Sequence, residues 1–223
     1  MSFDAVPLLL SIKLAAVSAA LLFVLSLPLV FWLYFTRSTA AYAARVFVNM
    51  PLVLPPVVVG FYLLLLFNPS APIGRFLGAF FHLRLVFTFE GLVVGSVLFS
   101  LPFMVNPILS ALESLPQSLC EASFVLGKSR WTTFVRVLLP SIRPSLLTGL
   151  VLTFAHTMGE FGMVLMIGGK IPGVTRVASI AVYDEVESLH FGAAHLYSAV
   201  MVLVSLAVLF IIIIANKRFA RTW

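Results

Sequence analysis

Residues 117–143 read QSLCEASFVLGKSRWTTFVRVLLPSIR, and they determine how the rest of the chain is arranged. This stretch is a basic, amphipathic island, and long apolar runs lie on both sides of it. Charged side chains are costly in the hydrocarbon core of a membrane, so the island must lie at a water-facing surface. Its mixed faces are typical either of a connector in the headgroup region or of a surface that binds a partner.

The composition indicates a membrane protein built from helices. Of the 223 residues, 61% are hydrophobic and only 10% are charged, and the mean hydropathy is +1.14. A soluble domain carries about 25% charged residues. The apolar runs are long and do not alternate, which favours an all-α polytopic fold over a transmembrane barrel. The net charge of +6 therefore indicates basic loops facing membrane lipid, and no nucleic-acid partner is expected.

Five apolar segments are long enough to cross a bilayer of about 30 Å. They lie near 8–35, 46–67, 86–112, 144–167 and 193–215. The second contains Pro51, Pro55 and Pro56, which predicts a kinked or partly unwound helix. The N-terminus lacks a basic region and a cleavage site, so the first run is expected to be a retained helix. The segment 168–192 is too short and broken for a sixth span, and 174–190 is expected to be interfacial or re-entrant.

Basic residues in the loops predict the orientation, because Lys and Arg accumulate on the cytoplasmic side. Nine lie on the side of the island: Arg37, Arg45, Lys128, Arg130, Arg136, Arg143, Lys217, Arg218 and Arg221. Five lie on the other side: Lys13, Arg75, Arg84, Lys170 and Arg176. The island and the C-terminus are therefore expected in the cytoplasm, and the N-terminus outside.

The island itself predicts two short helices that meet at an angle. In 118–126 the apolar residues recur at intervals of three and four, which predicts one inward-facing apolar side. These residues are Leu119, Ala122, Val125 and Leu126. Gly127 is expected to end this helix. A second apolar face is predicted from Trp131, Phe134, Val135 and Leu138.

The same residues resemble a family signature. Glu121-Ala122-Ser123, three residues, Gly127, nine residues and Val137-Leu138-Leu139-Pro140 have the spacing of the EAA loop of type I ABC importer permeases. Ser123 replaces alanine and Val137 replaces isoleucine in that signature. The resemblance covers 8–212, with a coupling loop at 117–143 and a basic cytoplasmic tail at 213–223.

The resemblance implies that the chain is a transport subunit of the cytoplasmic membrane and works with other proteins. Its expected partners are a second copy, an ABC ATPase dimer that uses the ATP, and an external oxyanion-binding protein. The implied coupling residues are Glu121, Ala122, Ser123, Gly127, Leu139 and Pro140. The chain has no phosphate-binding loop of its own, so no bound cofactor and no catalytic residue are expected.

Two further stretches are similar to the molybdate permeases within that family. One is the proline-rich segment from Met50 to Gly60, and the other is Gly159-Glu160-Phe161-Gly162. The second stretch is shared more widely among oxyanion permeases, so tungstate and sulfate remain alternatives to molybdate.

A polar stripe in the fourth predicted span marks the candidate translocation path or gate. The candidates are Thr153, His156, Thr157, Gly159, Glu160 and Gly162. Polar side chains within a membrane helix face protein or water, so they line a path or fix helix packing by hydrogen bonds. An ionised Glu160 would repel an anionic substrate. The carboxyl is therefore expected to be neutral or bonded away from the path, with a structural or gating role. Gly159 and Gly162 on either side of it predict a close helix approach or a hinge.

Other classes of function find less support in the sequence. His156 and Glu160 could serve an ion-coupled secondary transporter, but such carriers usually contain internal repeats, which the chain lacks. The same pair is too small a ligand set to predict a metal site. An intramembrane enzyme would need a catalytic constellation, and none is recognisable in the spans.

Overall fold

A computed structural model describes residues 4–220, and within that range the chain forms helices and no strands. The predicted all-α fold is therefore confirmed. The helices are α1 (Val6–Phe35), α2 (Thr39–Asn49), α3 (Pro56–Phe67), α4 (Pro72–Phe81), α5 (Phe89–Phe99), α6 (Leu101–Ser114), α7 (Gln117–Val125), α8 (Arg130–Thr133), α9 (Leu139–Ser141), α10 (Arg143–Met158), α11 (Gly162–Gly168), α12 (Ala178–Glu187) and α13 (Phe191–Ala220).

Between three and five segments of the described chain could cross a membrane. Val6–Phe35, Phe89–Ser114 and Phe191–Ile211 are each long and apolar enough alone. Two further pairs of helices qualify when each bent pair counts as one span: Thr39–Leu52 with Pro56–Phe67, and Arg130–Ser141 with Arg143–Met158. The upper count equals the five spans predicted from hydropathy, but its last pair is shifted from the predicted 144–167 and includes Arg130–Ser141 of the island.

The proline-rich segment breaks its span, as the sequence predicts. A single 3₁₀ turn, Met50–Leu52, follows α2, and Pro55 then adopts an extended conformation before α3 begins at Pro56. The two halves are bent by 114°. Proline lacks an N–H group and clashes with the carbonyl four residues earlier, so a continuous helix cannot pass through this segment.

The fourth predicted span, 144–167, is interrupted. Helix α10 ends at Met158 with Gly159 as its cap, and α11 starts only at Gly162. Phe161, with φ −124° and ψ −65°, is not helical. Glu160 therefore lies in the break instead of continuing the polar stripe of α10. Apolar runs predict that a segment lies in the membrane, but they do not reveal such an interruption.

Helix α1 is the centre of the fold, because it packs against α5, α6, α10 and α12. One half of α1 packs into a core cluster with α6 and the island, through Leu22, Leu33, Met104, Ile108, Leu112, Phe134 and Leu138. The other half packs into a second cluster with α5, α11 and α12, through Leu14, Leu92, Met163, Ile167 and Ile180. The interruptions of the helices lie between these two layers.

Helices α3 and α11 touch backbone to backbone because two glycines face the contact. A Cβ atom on Gly60 would lie 2.8 Å from the Met163 carbonyl oxygen. A Cβ atom on Gly162 would lie 2.9 Å from a methyl carbon of Val57. Side chains at either position would separate the helices. The outer halves of the two interrupted spans are thus joined into one unit.

The segment 168–192 contains α12, whose ten residues are too few to cross a bilayer. Helix α12 packs on α13 and α1, and its first N–H group, at Ala178, donates to Ser11 Oγ at 2.8 Å. Ion pairs connect the preceding loop to the C-terminal half of α12. Lys170 and Arg176 each lie within 2.9 Å of Asp184, and Arg176 also pairs with Glu185 at 3.3 Å.

The last helix extends beyond the predicted fifth span, 193–215. Helix α13 runs to Ala220, so much of the predicted basic tail, 213–223, is helical. The tail residues 221–223, including Arg221, lie outside the described residues.

Candidate functional site

Helix α7 and the turn after it form the first half of the candidate coupling surface, residues 117–143. Gly127 ends the helix with φ +71°, a left-handed conformation that glycine adopts without a steric penalty. Its N–H group donates to the Phe124 carbonyl at 2.9 Å, and that of Lys128 donates to the Ser123 carbonyl at 3.1 Å. The predicted turn at Gly127 is therefore present.

The predicted inward apolar face of α7 is wrong, because it is turned outward. Val125 is 86% exposed and Leu126 is 74% exposed. Ser123 is buried instead, and its hydroxyl lies 2.8 Å from the Thr133 hydroxyl across the turn. Ala122 is also exposed. The periodicity indicated which side chains share a face, but the neighbouring helices decide which face is covered.

The second half of the coupling surface is anchored in the protein core. Phe134 and Leu138 are fully buried, whereas Trp131 is exposed. Residues Phe134–Leu138 form a π-helical turn, in which the Leu139 N–H group donates to the Phe134 carbonyl five residues back. Pro140 follows directly, and its ring would clash with a carbonyl in a tighter α-helical turn. Leu139 and Pro140 are half-buried.

A cavity of about 740 Å³ lies between α7 and the connection from α1 to α2. Glu121 lines it together with Arg37 and Arg130, and the side chains of all three are exposed. Arg45 and Glu113 also line it, and they pair at 2.8 Å. Glu121 therefore lies on an open, charged surface where a second protein could reach it.

The second candidate site lies between the two core layers and centres on Glu160. This residue is only 5% exposed. The Ser96 hydroxyl on α5 donates to Glu160 Oε2 at 2.6 Å, and the Ser179 hydroxyl on α12 donates to the Glu160 carbonyl oxygen at 2.6 Å. Within residues 4–220, Glu160 Oε1 has no hydrogen-bond partner. Glu160 thus joins the break after α10 to two other helices.

A second serine makes an equivalent contact one turn further along. The Ser100 hydroxyl, at the junction of α5 and α6, lies 2.9 Å from His156 Nδ1 and 3.1 Å from the Thr157 hydroxyl. The His156 ring stacks on Phe103 with centroids 4.0 Å apart, and it also lies 5.3 Å from the Phe99 ring. The imidazole is therefore fixed by an aromatic pair and a hydroxyl.

The structure separates the six path or gate candidates into two groups. Thr153, Thr157, Glu160 and Gly162 are buried inside the subunit. Hydrogen bonds to serines favour the packing interpretation for Thr157 and Glu160, whereas Thr153 Oγ1 has no partner within residues 4–220. Gly159 is exposed, and His156 is partly exposed. Sequence reasoning missed Ser96, Ser100 and Ser179 as polar partners. The spacing of Ser96 and Ser100, one turn apart in an apolar span, was the available signal.

No group of three or more His, Cys, Asp or Glu residues in the described chain is arranged to hold a metal ion. His156 and Glu160 instead bond to separate serines. The site around Glu160 therefore consists of hydrogen-bonding side chains beside an interrupted helix.

Comparison with known proteins places this geometry in context. A family model described as "Binding-protein-dependent transport system inner membrane component" matches residues 27–223. The molybdenum transport system permease protein ModB of Azotobacter vinelandii is 44% identical over 217 residues, which cover 97% of this chain and 95% of that protein. The sulfate transport system permease protein CysT of Escherichia coli (strain K12) is 34% identical, over 78% of this chain and 62% of that protein.

Among solved structures, a bacterial alginate ABC transporter in complex with an alginate pentasaccharide-bound periplasmic protein has a similar fold. The TM-score is 0.73 at 20% sequence identity, over all of this chain and 80% of that chain. The similarity shows that the chain has the fold of an ABC importer permease.

Proposed function

Because the chain belongs to the family of binding-protein-dependent transport system inner membrane components, we propose that it is the permease through which an ATP-driven importer moves molybdate. The chain is a multi-pass transport subunit of the inner membrane, not an enzyme. One observation carries the choice of substrate: the 44% identity to a molybdenum permease extends over 97% of the chain.

Sulfate and tungstate are the alternatives to molybdate. The sulfate permease match is weaker in identity, and it leaves more than a third of that relative's length unmatched. The test is uptake of labelled molybdate by cells that have this importer alone, in competition with tungstate and sulfate. Molybdate should compete most strongly in its own uptake, and equal or stronger inhibition by sulfate would overturn the assignment.

The partners that we propose are a second copy of the chain, an ABC ATPase dimer and an external oxyanion-binding protein. The ATPase binds at residues 117–143, on the cytoplasmic side, and hydrolyses the ATP. The N-terminus lies outside. Support for the binding surface comes from Val125 and Leu126, which are largely exposed beside the open carboxylate of Glu121. Exposed apolar side chains next to charged ones are typical of protein interfaces.

The core connections of the island suggest how ATPase movement reaches the membrane. Ser123 bonds to Thr133, so α7 is tied to the second half of the island. Phe134 and Leu138 then pack with Leu33 of α1 and Ile108 of α6. Closure of the ATPase dimer would therefore move the core cluster that contains Phe134 and Leu138 relative to the cluster that contains Met163 and Ile167. The breaks at Pro55 and Gly159 lie where that movement must be absorbed.

In this mechanism, Glu160 has a structural or gating role and does not bind the anion. Its carboxyl and its backbone carbonyl both accept hydrogen bonds from serines on other helices. Gly159 and His156 are the path candidates that retain exposure, and the path itself would lie against the second copy of the chain. Thr153, Thr157 and Gly162 support the packing around them.

The coupling surface can be tested with a matched pair of substitutions. Leu126→Ala should reduce co-purification of the ATPase, because it removes apolar area from the binding surface. Leu203→Ala is the control, since Leu203 is 66% exposed on α13 and Leu126 is 74% exposed. An equal effect of the two substitutions would contradict ATPase binding at α7. Uptake that persists without any ATPase would instead support an ion-coupled carrier.

A further inference from the structure

Helix α4 carries an aromatic face that no part of the described chain covers. The helix connects the end of α3 to the start of α5, so it lies at the membrane end opposite the island. The exposed face consists of Ile73, Phe76, Phe80 and Phe81, which are 43%, 53%, 72% and 60% exposed. The rings of Phe76 and Phe80 lie 4.8 Å apart and form one contiguous surface. Helices of this kind lie in the membrane interface with their apolar side in the acyl chains.

The other side of α4 borders a cationic pocket of about 480 Å³. Arg75, His82 and Arg84 line this pocket, and no acidic residue does. Neither arginine forms an ion pair within residues 4–220, whereas Lys170 and Arg176 on the same side are paired with Asp184. Gly78 also lines the pocket, and a Cβ atom on it would meet nothing within 4 Å. The pocket is therefore open and positively charged.

His82 lies in the pocket wall with a backbone conformation that is uncommon for residues other than glycine. Its φ is +52°, in the left-handed region that ends α4. A non-glycine residue in this region costs about 1 kcal/mol or more. The His82 side chain lines the pocket together with Arg75, and a glycine at this position would leave the pocket without an imidazole.

We propose that α4 is a binding site for an anionic phospholipid, with the headgroup phosphate in the Arg75–His82–Arg84 pocket and the acyl chains against Phe76 and Phe80. Charge complementarity favours this occupant, because guanidinium groups bind phosphate oxygens in bidentate geometry. In a two-fold contact centred on this pocket, a second copy of the chain would bring the same three basic residues against each other. A lipid supplies both the negative charge and the apolar chains that the two sides of α4 require.

The experiment is native mass spectrometry of the purified transporter, titrated with dioleoyl-phosphatidylglycerol or dioleoyl-phosphatidylcholine. The acyl chains are identical, so a difference in retention reports on the headgroup. The anionic lipid should be retained more strongly, and Arg75→Gln or Arg84→Gln should each weaken that retention about fivefold. Lys13→Gln is the control, because Lys13 is an exposed cation on the same side of the protein but outside the pocket.

Three results would overturn the proposal. The first is the absence of a difference, either between the two lipids or between the pocket variants and the Lys13→Gln control. The second is displacement of the lipid by millimolar inorganic phosphate, which would make the pocket a site for soluble phosphate. The third is efficient disulfide formation between two copies that carry Phe80→Cys in a Cys120→Ser background, because this would place a second subunit on the aromatic face. Retention that weakens with Phe80→Ser, while inorganic phosphate has no effect, supports the lipid.

Discussion

At the residue scale, Glu160 shows which features of the site can be predicted from the sequence and which cannot. A carboxyl in an apolar span can be recognised as exceptional from the sequence alone, and it predicts a neutral or bonded group. Its partners cannot be recognised in the same way, because Ser96 and Ser179 are 64 and 19 residues away along the chain. Only the packing of α5 and α12 against the break brings them together. Hydrogen bonds over such separations depend on the tertiary fold.

Substitution of Glu160 tests whether the bond to Ser96 matters more than the charge. Glu160→Gln keeps an oxygen that can accept from the Ser96 hydroxyl, so assembly and most molybdate uptake should be preserved. Glu160→Ala leaves that hydroxyl buried without its partner, which costs about 1–3 kcal/mol. Thermal unfolding of the purified protein, measured together with uptake, distinguishes the two variants.

Glu90→Gln is the control for Glu160→Gln, because Glu90 is exposed in the first turn of α5. It should change neither unfolding nor uptake. Complete loss of uptake in a normally assembled Glu160→Gln protein would show that the ionisable carboxyl itself is required.

At the element scale, breaks caused by proline could be predicted, whereas Gly159 and Gly162 predicted only a close helix approach or a hinge. Pro51, Pro55 and Pro56 exclude a continuous helix on steric grounds, and the 114° bend is present. Gly159 and Gly162 are compatible with a helix, so the interruption around Glu160 depends on tertiary contacts. The prediction that the apolar face of α7 points inward is wrong for a related reason. Periodicity reports amphipathicity, whereas burial depends on which surfaces the neighbouring helices leave free.

The contact between α3 and α11 gives a prediction about Gly60. In Gly60→Ala the new Cβ would lie 2.8 Å from the Met163 carbonyl oxygen and 2.8 Å from Met166 Cβ. Such overpacking typically costs about 1–3 kcal/mol, so the unfolding temperature should fall. Because the two half-helices would separate, uptake should fall as well.

The matched control for the α3–α11 contact is Gly192→Ala in the first turn of α13. A Cβ atom there meets nothing within 4 Å, and alanine is the better helix former. This variant should be neutral or slightly stabilising in the same thermal assay. A Gly60→Ala protein as stable as this control would show that the half-helices are not held together at Gly60.

At the scale of the whole molecule, hydropathy predicts the number of membrane segments but not their arrangement. The five spans predicted from hydropathy equal the upper count of membrane-crossing segments in the structure. The central place of α1, and the division of the core into two layers around it, follow from contacts between distant segments. The ion pairs between the charged loop and α12 also depend on the tertiary fold. Their opposite charges are visible in the sequence, but the pairing of Lys170 and Arg176 with Asp184 requires the fold.

This charged cluster predicts how stability depends on pH. Burial alone would raise the pKa of Asp184, but hydrogen bonds from Lys170 and Arg176 outweigh it and hold that pKa below the usual 3.8. The pKa of Asp184 is therefore lower in the folded state than in the unfolded state. Its stabilising effect is complete above about pH 4 and is lost as the pH falls through the folded value.

Asp184→Asn should accordingly lower the free energy of unfolding by roughly 1 kcal/mol at pH 7, and by less at pH 3. Glu187→Gln is the control, because the Glu187 side chain is 51% exposed while that of Asp184 is 19% exposed. Its effect at pH 7 should be smaller. Thermal unfolding of each variant at the two pH values provides the measurement, and a destabilisation by Asp184→Asn that is the same at both would contradict the pairing.

The distribution of charge along the spans predicts weak substrate binding by the permease alone. Tight oxyanion sites use several donors or a fixed positive charge. Lys13, near one end of the first predicted span, is the only Lys or Arg within the five predicted spans, and Ser96 and Ser100 bond to Glu160 and Thr157 between the core layers. Calorimetry of the purified permease with molybdate should therefore detect no sub-micromolar site. Detection of one would move specificity from the external binding protein to the membrane.

The outward apolar side of α7 has a consequence for the cell as well as for transport. If the ATPase binds α7 as proposed, a subunit made without it would leave Val125 and Leu126 uncovered at the cytoplasmic surface, because no other surface of the described chain covers them. Surfaces of this kind promote aggregation and attract the proteases that degrade unassembled proteins. We therefore expect the lifetime of the permease to depend on the supply of its partner. The same helix that receives mechanical force would then also report whether assembly is complete.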